Sequence, residues 1–244
     1  MNLAQLFNAT YLIRYRNAEG NYRSNLKKGC DYRFFRKGDT LIIFFECTRS
    51  THDWLINLSF WKKPYKDMRT PYKVHTGFLK YWKQVEDRII EVVTARGDDG
   101  KHLFKHIYIS GYSQGGALAG LCHECVWFHR PDLRADGLYT FSFEGPRFCA
   151  SFALKRTIRD RWIHFYQFIN DKDIVPHLPP RIFGYTHVGQ VIHYGRGRKL
   201  GITESHYPDI IKASLRELSP ADVIPDINFS DIPLETQKDN HYLN

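Results

Sequence analysis

The sequence predicts an α/β fold, with a central, mostly parallel sheet flanked by helices, and three observations lead to this prediction. Strand-like runs of aromatic and β-branched residues alternate with segments of helical periodicity along most of the chain. A glycine-rich turn separates a predicted strand from a predicted helix. The chain has 244 residues, which suffices for one large core. We expect a single domain over residues 1–218 and an extended or partly disordered tail over 219–244.

The first half of the chain predicts a helix, a hairpin and a second helix. Apolar residues at helical spacing indicate a helix within residues 2–16. The runs 32–35 and 41–45 are separated by a turn-forming sequence with Gly and Asp, which predicts a β-hairpin whose second strand is buried. From Gly77 onward, apolar residues recur at steps of three and four and predict one helix that ends near Gly97.

The second half predicts the strand and helix alternation of a parallel sheet. Residues 106–110 predict a strand and residues 114–128 a helix. Two further strands are expected over 138–143 and 163–169, with a helix around 150–159 between them and a last helix over 208–218.

Composition and charge exclude several classes of protein. Hydrophobic residues make up 43% of the chain and charged residues 25%, as in ordinary globular domains. The net charge is +9, but the basic residues are spread out, so we expect no nucleic-acid partner. No segment approaches the ~18 uncharged apolar residues of a spanning helix, so we expect no transmembrane segment. The sequence predicts no particular oligomeric state.

The N-terminal sequence and the cysteines predict a cytoplasmic protein. The first residues lack the basic start, apolar stretch and cleavage site of a secretory signal. Five cysteines without dense spacing fit a reducing compartment. Secretion of a processed form stays open, because a signal already removed leaves no trace.

The sequence at residues 111–116, GYSQGG, is the sharpest chemical signal. It has the G-x-S-x-G pattern and lies between a predicted strand and a predicted helix, which is the context of a nucleophile elbow in α/β hydrolases. Ser113 is then the candidate nucleophile. The backbone N–H of Gln114, at the start of the helix, is a candidate oxyanion donor, assisted by the helix dipole.

A serine nucleophile requires a histidine base and usually a carboxylate that orients it. In α/β hydrolases the acid and then the base follow the serine along the chain. Asp173 follows a predicted strand, where α/β active sites gather, and Asp171 is its near rival. His206 stands in a polar segment before the last helix and competes with His177, His187 and His193, of which the latter two are embedded among β-type residues.

These motifs together resemble the class 3 lipases, the fungal-type triacylglycerol lipase family of the α/β-hydrolase superfamily, from about Leu41 to Leu215. The resemblance covers the elbow, the segment NDKDIVPHLPP at 170–180, GYTHVG at 184–189, Ser205-His206-Tyr207 and the helix start HTGF at 75–78. It implies that the triad is Ser113, Asp173 and His206, and that His187 is structural.

The segment FECTRS at 45–50 occupies the place of the family's Phe-Arg-Gly-Thr/Ser sequence, which implies that Thr48 is an oxyanion donor. Glu46 and Cys47 depart from the pattern at the positions of Arg and Gly. The next segment, 51–60, resembles the family's amphipathic lid, which would cover the site and open at a lipid interface. Its apolar residues are Trp54, Leu55, Leu58 and Phe60.

Two other clusters invite a functional interpretation that we do not favour. The sequence Cys122-His123-Glu124-Cys125 has metal-like spacing but lies within a predicted helix, without a second ligand pair. We therefore expect no metal and no cofactor. Residues 61–66, WKKPYK, are interpreted as a solvated loop rather than a headgroup-binding segment.

The expected activity is hydrolysis of carboxylic esters, with acylglycerols, related lipid esters or small esters as substrates and with transient contact to a lipid interface. An acyltransferase or a feruloyl-type esterase would use the same triad, and fold alone does not separate these activities. A third alternative is a catalytically silent binding scaffold, whose marks would be an inaccessible Ser113 or a displaced His206.

Overall fold

A computed structural model shows how these elements are arranged. The residues that it describes are 2–11, 21–22 (backbone only), 32–45, 60–70, 72–150, 160–195, 204–219 and 224. Its helices are α1 (Leu3–Tyr11), α2 (Thr76–Trp82), α3 (Glu86–Val93), α4 (Gln114–His129) and α5 (Pro208–Leu215). Its strands are β1 (Asn21–Tyr22), β2 (Tyr32–Lys37), β3 (Thr40–Phe45), β4 (Lys62–Pro64), β5 (Lys73–His75), β6 (His106–Tyr112), β7 (Leu138–Phe143), β8 (Cys149–Ala150), β9 (Phe165–Asn170), β10 (Tyr185–Thr186) and β11 (Gln190–Tyr194). Single turns of 3₁₀ helix lie at Pro131–Leu133, Asp160–Trp162, Val175–His177, Arg181–Phe183 and Glu204–His206.

The main sheet has seven strands in the order β1-β2-β3-β6-β7-β9-β11. The β2–β3 hairpin is antiparallel, whereas β3, β6, β7, β9 and β11 run parallel to one another. Parallel neighbours end at the same edge of a sheet, so the loops after β6, β7 and β9 meet there. This edge carries the predicted active site.

Side chains that alternate along each strand separate the two faces of the main sheet. On one face, Leu41, Ile43 and Ile107 pack with α2, α3 and α4, and on the other, Ile42 and Phe44 pack with α1 and α5. Strand β3 is therefore buried along its whole length, because both faces are covered. This burial on both faces explains why residues 41–45 are all apolar.

The single helix predicted from Gly77 to Gly97 is wrong in one respect, because two helices occupy this segment. Helix α2 ends at Trp82 and α3 begins at Glu86. Between them the amides of Gln84 and Val85 bond to carbonyls three residues back, which tightens the chain. The Trp82 indole N–H and the Glu86 carboxylate converge on the buried hydroxyl of Tyr65. The apolar period is correct, but it does not reveal this turn.

The structure also contains a second, smaller sheet that the sequence patterns did not predict. It has four antiparallel strands in the order β10-β8-β5-β4. Its strands are two or three residues long, too short for a periodic pattern. Of the predicted helix at 150–159, Ala150 lies in β8 and the other residues are outside the described part. Residues 12–16 of the first predicted helix also lie outside it.

The division into a domain over 1–218 and a tail over 219–244 stays a prediction. Within the tail, only residues 219 and 224 are described. Ile224 is buried in the core on the α1 and α5 face of the main sheet.

Candidate active site

Ser113 stands between β6 and α4, at the point where the chain leaves the sheet. Its backbone has φ of 56° and ψ of −126°, a conformation that residues other than glycine rarely adopt. Its amide donates to the carbonyl of Phe143 on the neighbouring strand at 2.9 Å, which helps to hold the turn to the sheet. The predicted strand and helix are thus both present, and the serine between them has a strained backbone.

Two glycines around Ser113 are required by close backbone contacts. A Cβ on Gly111 would lie 2.0 Å from the carbonyl oxygen of Gly115. A Cβ on Gly116 would lie 2.5 Å from Ser142 Oγ and 2.8 Å from Gly145 Cα. The glycines of the motif therefore let α4 begin directly against β6 and β7.

The side chains of Ser113, His206 and Asp173 form one hydrogen-bonded line. The Nε2 atom of His206 lies 2.9 Å from Ser113 Oγ, and its Nδ1 atom is hydrogen bonded to Asp173 Oδ2. The other carboxylate oxygen, Asp173 Oδ1, accepts from the amide of Val175 at 2.9 Å. Asp173 is fully buried and His206 is 6% exposed. The line therefore lies out of bulk water, where its electrostatic interactions are strong.

Residues from two strands support His206 from behind. Tyr112 donates its hydroxyl proton to the backbone carbonyl of His206, and its ring stacks on the imidazole with 5.1 Å between ring centroids. The side-chain amide of Asn170 donates to the carbonyl of Ser205 at 3.2 Å. These contacts fix the turn that carries the base.

The rival candidates have other partners. Asp171 bonds through Oδ1 to Nδ1 of His193 at 2.6 Å, and both side chains are partly exposed. His187 bonds through Nδ1 to Gln167 Oε1 at 2.8 Å, and desolvation lowers the pKa of its ring to about 3. His177 lies in the turn after Asp173, and its carbonyl accepts from Arg147.

The remaining predicted site residues are those of the lid and of the oxyanion hole. Thr48 and the predicted lid residues Trp54, Leu55 and Leu58 lie outside the described residues. Phe60, the last residue of the predicted lid, is described, and its ring stacks on Phe183 at 4.8 Å. Gln114 is the first residue of α4. Its backbone N–H is therefore one of those at the helix start without an intrahelical acceptor.

The metal-like sequence at 122–125 has structural contacts instead. The two ring nitrogens of His123 lie 2.8 Å from Thr140 Oγ1 and 2.7 Å from the carbonyl of Arg161. Glu124 bonds to Tyr72 and Arg161. In the described ranges, no three His, Cys, Asp or Glu side chains are arranged to hold a metal ion. No helix in those ranges is both long and apolar enough to cross a bilayer.

Sequence reasoning missed three residues that surround the triad, namely Tyr112, Glu144 and Asn170. Glu144 directly follows β7 and is fully buried, with both carboxyl oxygens 3.0 Å from the amide of Asn170. A signal was available for it, because a polar residue at the carboxyl end of a parallel strand lies at the edge where Ser113 and Asp173 lie.

The chain is similar in sequence to known lipases. The family model for Lipase (class 3) matches residues 42–183, which is more than half of the chain. A lipase of Rhizomucor miehei is 30% identical over 152 residues, covering 62% of this chain and 40% of that protein. The secreted mono- and diacylglycerol lipase 1 of Fusarium solani is 33% identical over 144 residues, covering 57% and 39%. The chain thus spans about two fifths of the length of these curated relatives.

The fold agrees with a solved structure of the same kind. The Rhizomucor miehei triacylglyceride lipase superposes with a TM-score of 0.62 at 26% identity, covering 71% of this chain and 64% of that one. The expected α/β-hydrolase fold, a mostly parallel sheet flanked by helices, is confirmed. On the family match and this common fold, the chain belongs to the class 3 lipase family.

Proposed function

We propose that the protein is a serine hydrolase of carboxylic esters, with acylglycerols or related lipid esters as its substrates. The observation that carries the proposal is the hydrogen-bonded line from Ser113 through His206 to Asp173. A nucleophile, a base within reach of its proton and a carboxylate that orients the base are the parts that acyl transfer needs.

In this proposal, Ser113 Oγ attacks the ester carbonyl while His206 Nε2 takes the hydroxyl proton. His206 then gives that proton to the leaving alcohol, and an acyl-enzyme remains on Ser113. A water molecule, deprotonated by His206, attacks the acyl-enzyme. The acyl–Oγ bond then breaks, the acid leaves, and His206 returns the proton to Ser113 Oγ. Asp173 holds the tautomer in which Nε2 is free to accept the proton and stabilises the imidazolium that forms.

The negative oxygen of the tetrahedral intermediate requires hydrogen-bond donors. The backbone N–H of Gln114 at the start of α4 is the donor that we propose, and the dipole of this 16-residue helix supports it. Thr48 remains a prediction for the second donor.

Access to Ser113 requires movement, because its exposure is 1%. We propose that part of the surface over Ser113 moves away when a substrate approaches Oγ. A lid over 51–60 would provide this movement. Low accessibility was one mark of a silent scaffold, but its other mark is missing, since His206 is within hydrogen-bonding distance of Ser113.

An exposed apolar patch supports transient contact with a lipid interface. It consists of Phe60, Trp61, Ile182 and Phe183, of which Trp61 is 77% and Ile182 81% exposed. Lys62 donates to the carbonyl of Phe183 and joins the two segments. Apolar side chains at this exposure favour insertion into an apolar phase.

The relatives also bear on substrate and location. Their names as lipases, one of them a mono- and diacylglycerol lipase, favour an acylglycerol hydrolase over an acyltransferase or a feruloyl-type esterase. The cytoplasmic location expected from the sequence finds no support, because two relatives are named as secreted. We propose secretion of a processed form, which the N-terminal sequence left open.

The proposal is tested by hydrolysis of p-nitrophenyl esters from acetate to palmitate, with and without a detergent or lipid interface. We expect turnover by the wild-type protein that is lost in Ser113→Ala, and an increase of the long-chain rate when an interface is present. A Ser113→Ala variant as active as the wild type would contradict the nucleophile. A wild-type protein inactive on every ester and on emulsified acylglycerols would contradict the function.

A paired substitution tests the apolar patch separately. Ile182→Ser should lower hydrolysis of emulsified acylglycerol while leaving hydrolysis of soluble p-nitrophenyl acetate unchanged. Ile163→Ser is the matched control, because Ile163 is 54% exposed but precedes β9, at the opposite edge of the sheet from Ser113. Equal effects of the two substitutions on emulsion hydrolysis would remove the patch from the proposal.

A further inference from the structure

Glu144 is a fully buried acidic residue at the carboxyl end of β7, outside the triad. Its exposure is 0%, and its backbone has φ of 48°, in the left-handed region. Its amide donates to the carbonyl of Phe168 at 3.0 Å, which pins this backbone conformation to β9. An acidic residue in this position lowers the folding stability in two ways. Its backbone conformation is strained, and its carboxyl group is removed from water.

Within the described part of the chain, the carboxyl group of Glu144 has three neighbouring polar groups, none of which is a cation. The amide of Asn170 lies 3.0 Å from both of its oxygens. The hydroxyl of Tyr194 on β11 is hydrogen bonded to Oε1. Asp173 is the third neighbour, because its amide donates to the carbonyl of Asn170 at 2.9 Å while the amide of Asn170 faces Glu144. The charge of Asp173 and hydrogen bonding between the two side chains both raise the pKa of Glu144. Two carboxyl groups can share a hydrogen bond only if one of them carries the proton.

The surroundings decide which carboxyl group carries it. Asp173 already accepts hydrogen bonds from His206 Nδ1 and from the Val175 amide. Glu144 has lost its hydration by burial and faces the charge of Asp173, and these two causes raise its pKa well above the usual range. Burial and Glu144 also raise the pKa of Tyr194, so its hydroxyl keeps its proton and donates it.

We propose that Glu144 is a positioning residue for the proposed ester hydrolysis: as a neutral carboxylic acid it donates a hydrogen bond to Asp173 and holds that carboxylate against His206. The effect of Glu144 on catalysis rests on the proposed function, whereas its hydrogen bond to Asp173 does not. Donation to Asp173 stabilises its charge and fixes its rotamer. The carboxylate then accepts from three sides, namely Val175, His206 and Glu144, and has little freedom to turn away from the imidazole.

A second consequence is dependence on pH. Loss of the Glu144 proton would place two negative charges side by side in a buried site, which weakens the hydrogen bond to Asp173 and repels its carboxylate. The titratable groups that face this pair from the packed elements are Tyr194 on β11, Tyr112 on β6, His206, and His177 in the turn after Asp173.

Two substitutions of similar size separate the donor from the bulk of the side chain. Glu144→Gln keeps an oxygen for Asn170 and Tyr194 and supplies an N–H for Asp173. Glu144→Met fills similar space but cannot donate. Both keep a side chain at the positive φ, so the backbone strain is common to them.

We expect Glu144→Gln to retain kcat/KM within about threefold at neutral pH and to keep activity at alkaline pH where the wild type loses it. Glu144→Met should lower kcat by about tenfold, which corresponds to loss of one hydrogen bond to a charged group, and should displace the acid side of the pH–rate profile. Measurements are compared at temperatures where both variants are folded. Equal losses in the two variants, or wild-type kcat and pH profile in Glu144→Met, would overturn the positioning role.

Two measurements that do not depend on ester hydrolysis test the role of Glu144 separately from the proposed function. Thermal unfolding should show Glu144→Gln gaining stability over the wild type as pH rises above about 5, because the wild type alone keeps a carboxyl group protonated there at a growing cost. The Nδ1 proton resonance of His206 should coincide in the wild type and Glu144→Gln and shift in Glu144→Met. A constant stability difference across pH, or an unshifted resonance in Glu144→Met, would overturn the inference even if no variant hydrolysed an ester.

Discussion

Replacement of Asp173 by Asn tests the geometry of the proposed triad most closely. The two oxygens of Asp173 have different tasks, since Oδ2 accepts from His206 Nδ1 and Oδ1 accepts from the Val175 amide. If the Asn oxygen stays with Val175, its NH₂ group faces Nδ1 and selects the tautomer in which Nε2 carries the proton. His206 then cannot accept the proton of Ser113. If the Asn side chain turns over, its NH₂ meets the Val175 amide and leaves buried donors unpaired, at about 1–3 kcal/mol.

Either orientation costs catalysis, and the first should dominate. The corresponding change in a Ser-His-Asp protease lowers kcat by about 10⁴, or ~5 kcal/mol of transition-state stabilisation. We expect a loss of this order for Asp173→Asn on p-nitrophenyl butyrate, with retention of the folded state verified by circular dichroism.

Asp171→Asn is the matched control for this measurement. Asp171 is two residues away and pairs with His193 at the surface, so its replacement should leave kcat within about twofold. A folded Asp173→Asn variant with more than a tenth of wild-type kcat would refute the assignment of the acid. A greater loss in Asp171→Asn than in Asp173→Asn would transfer the role to the rival carboxylate.

Three further predictions concern the surroundings of the site. Tyr112→Phe keeps the ring stack on His206 but removes the hydroxyl bond to its carbonyl, so kcat/KM should fall by less than about tenfold and Tyr112→Ala should fall further; equal losses would exclude a role for the stack. Gly116→Ala brings a methyl group against Ser142 and the backbone of Gly145, and should lower stability in urea unfolding by about 1–3 kcal/mol or more; an unchanged midpoint would contradict the close packing of α4 on the sheet. Burial lowers the pKa of His123 to about 4, so stability should fall as pH drops from about 6.5 towards 4, by about 1.4 kcal/mol per pH unit; His123→Gln should flatten this slope, and an equal slope in both proteins would contradict the neutral, buried ring.

Much of the fold could be predicted because its main strands are long and apolar. The run at 41–45 is buried on both faces, and the segment 106–112 joins a strand to the elbow without a gap. What could not be predicted depends on contacts distant in sequence. The turn after Trp82 is accompanied by convergence on Tyr65, and the strands of the second sheet are too short to leave a pattern.

In the candidate site, too, local sequence predicts some features, whereas others depend on contacts between residues distant in sequence. A local motif identifies Ser113. The residue patterns alone did not distinguish Asp173 from Asp171 as the acid, or His206 from several other histidines as the base. Geometry separates them, because Asp171 is hydrogen bonded to His193, whereas Asp173 is hydrogen bonded to His206. Glu144 had a recognisable place after a parallel strand, yet its role depends on its contacts with Asn170 and Asp173. Sequence spacing does not encode these contacts.

The central claim is that Ser113 is a nucleophile activated by His206, and covalent labelling tests it most directly. The wild-type protein, Ser113→Ala and His206→Ala are incubated with an alkyl p-nitrophenyl phosphonate in the presence of detergent micelles, and intact mass and peptide mapping follow. We predict one phosphonyl adduct on Ser113 in the wild type, none in Ser113→Ala and a rate of labelling reduced by orders of magnitude in His206→Ala. An unlabelled wild-type protein, an adduct on another residue, or labelling of His206→Ala at the wild-type rate would contradict the account.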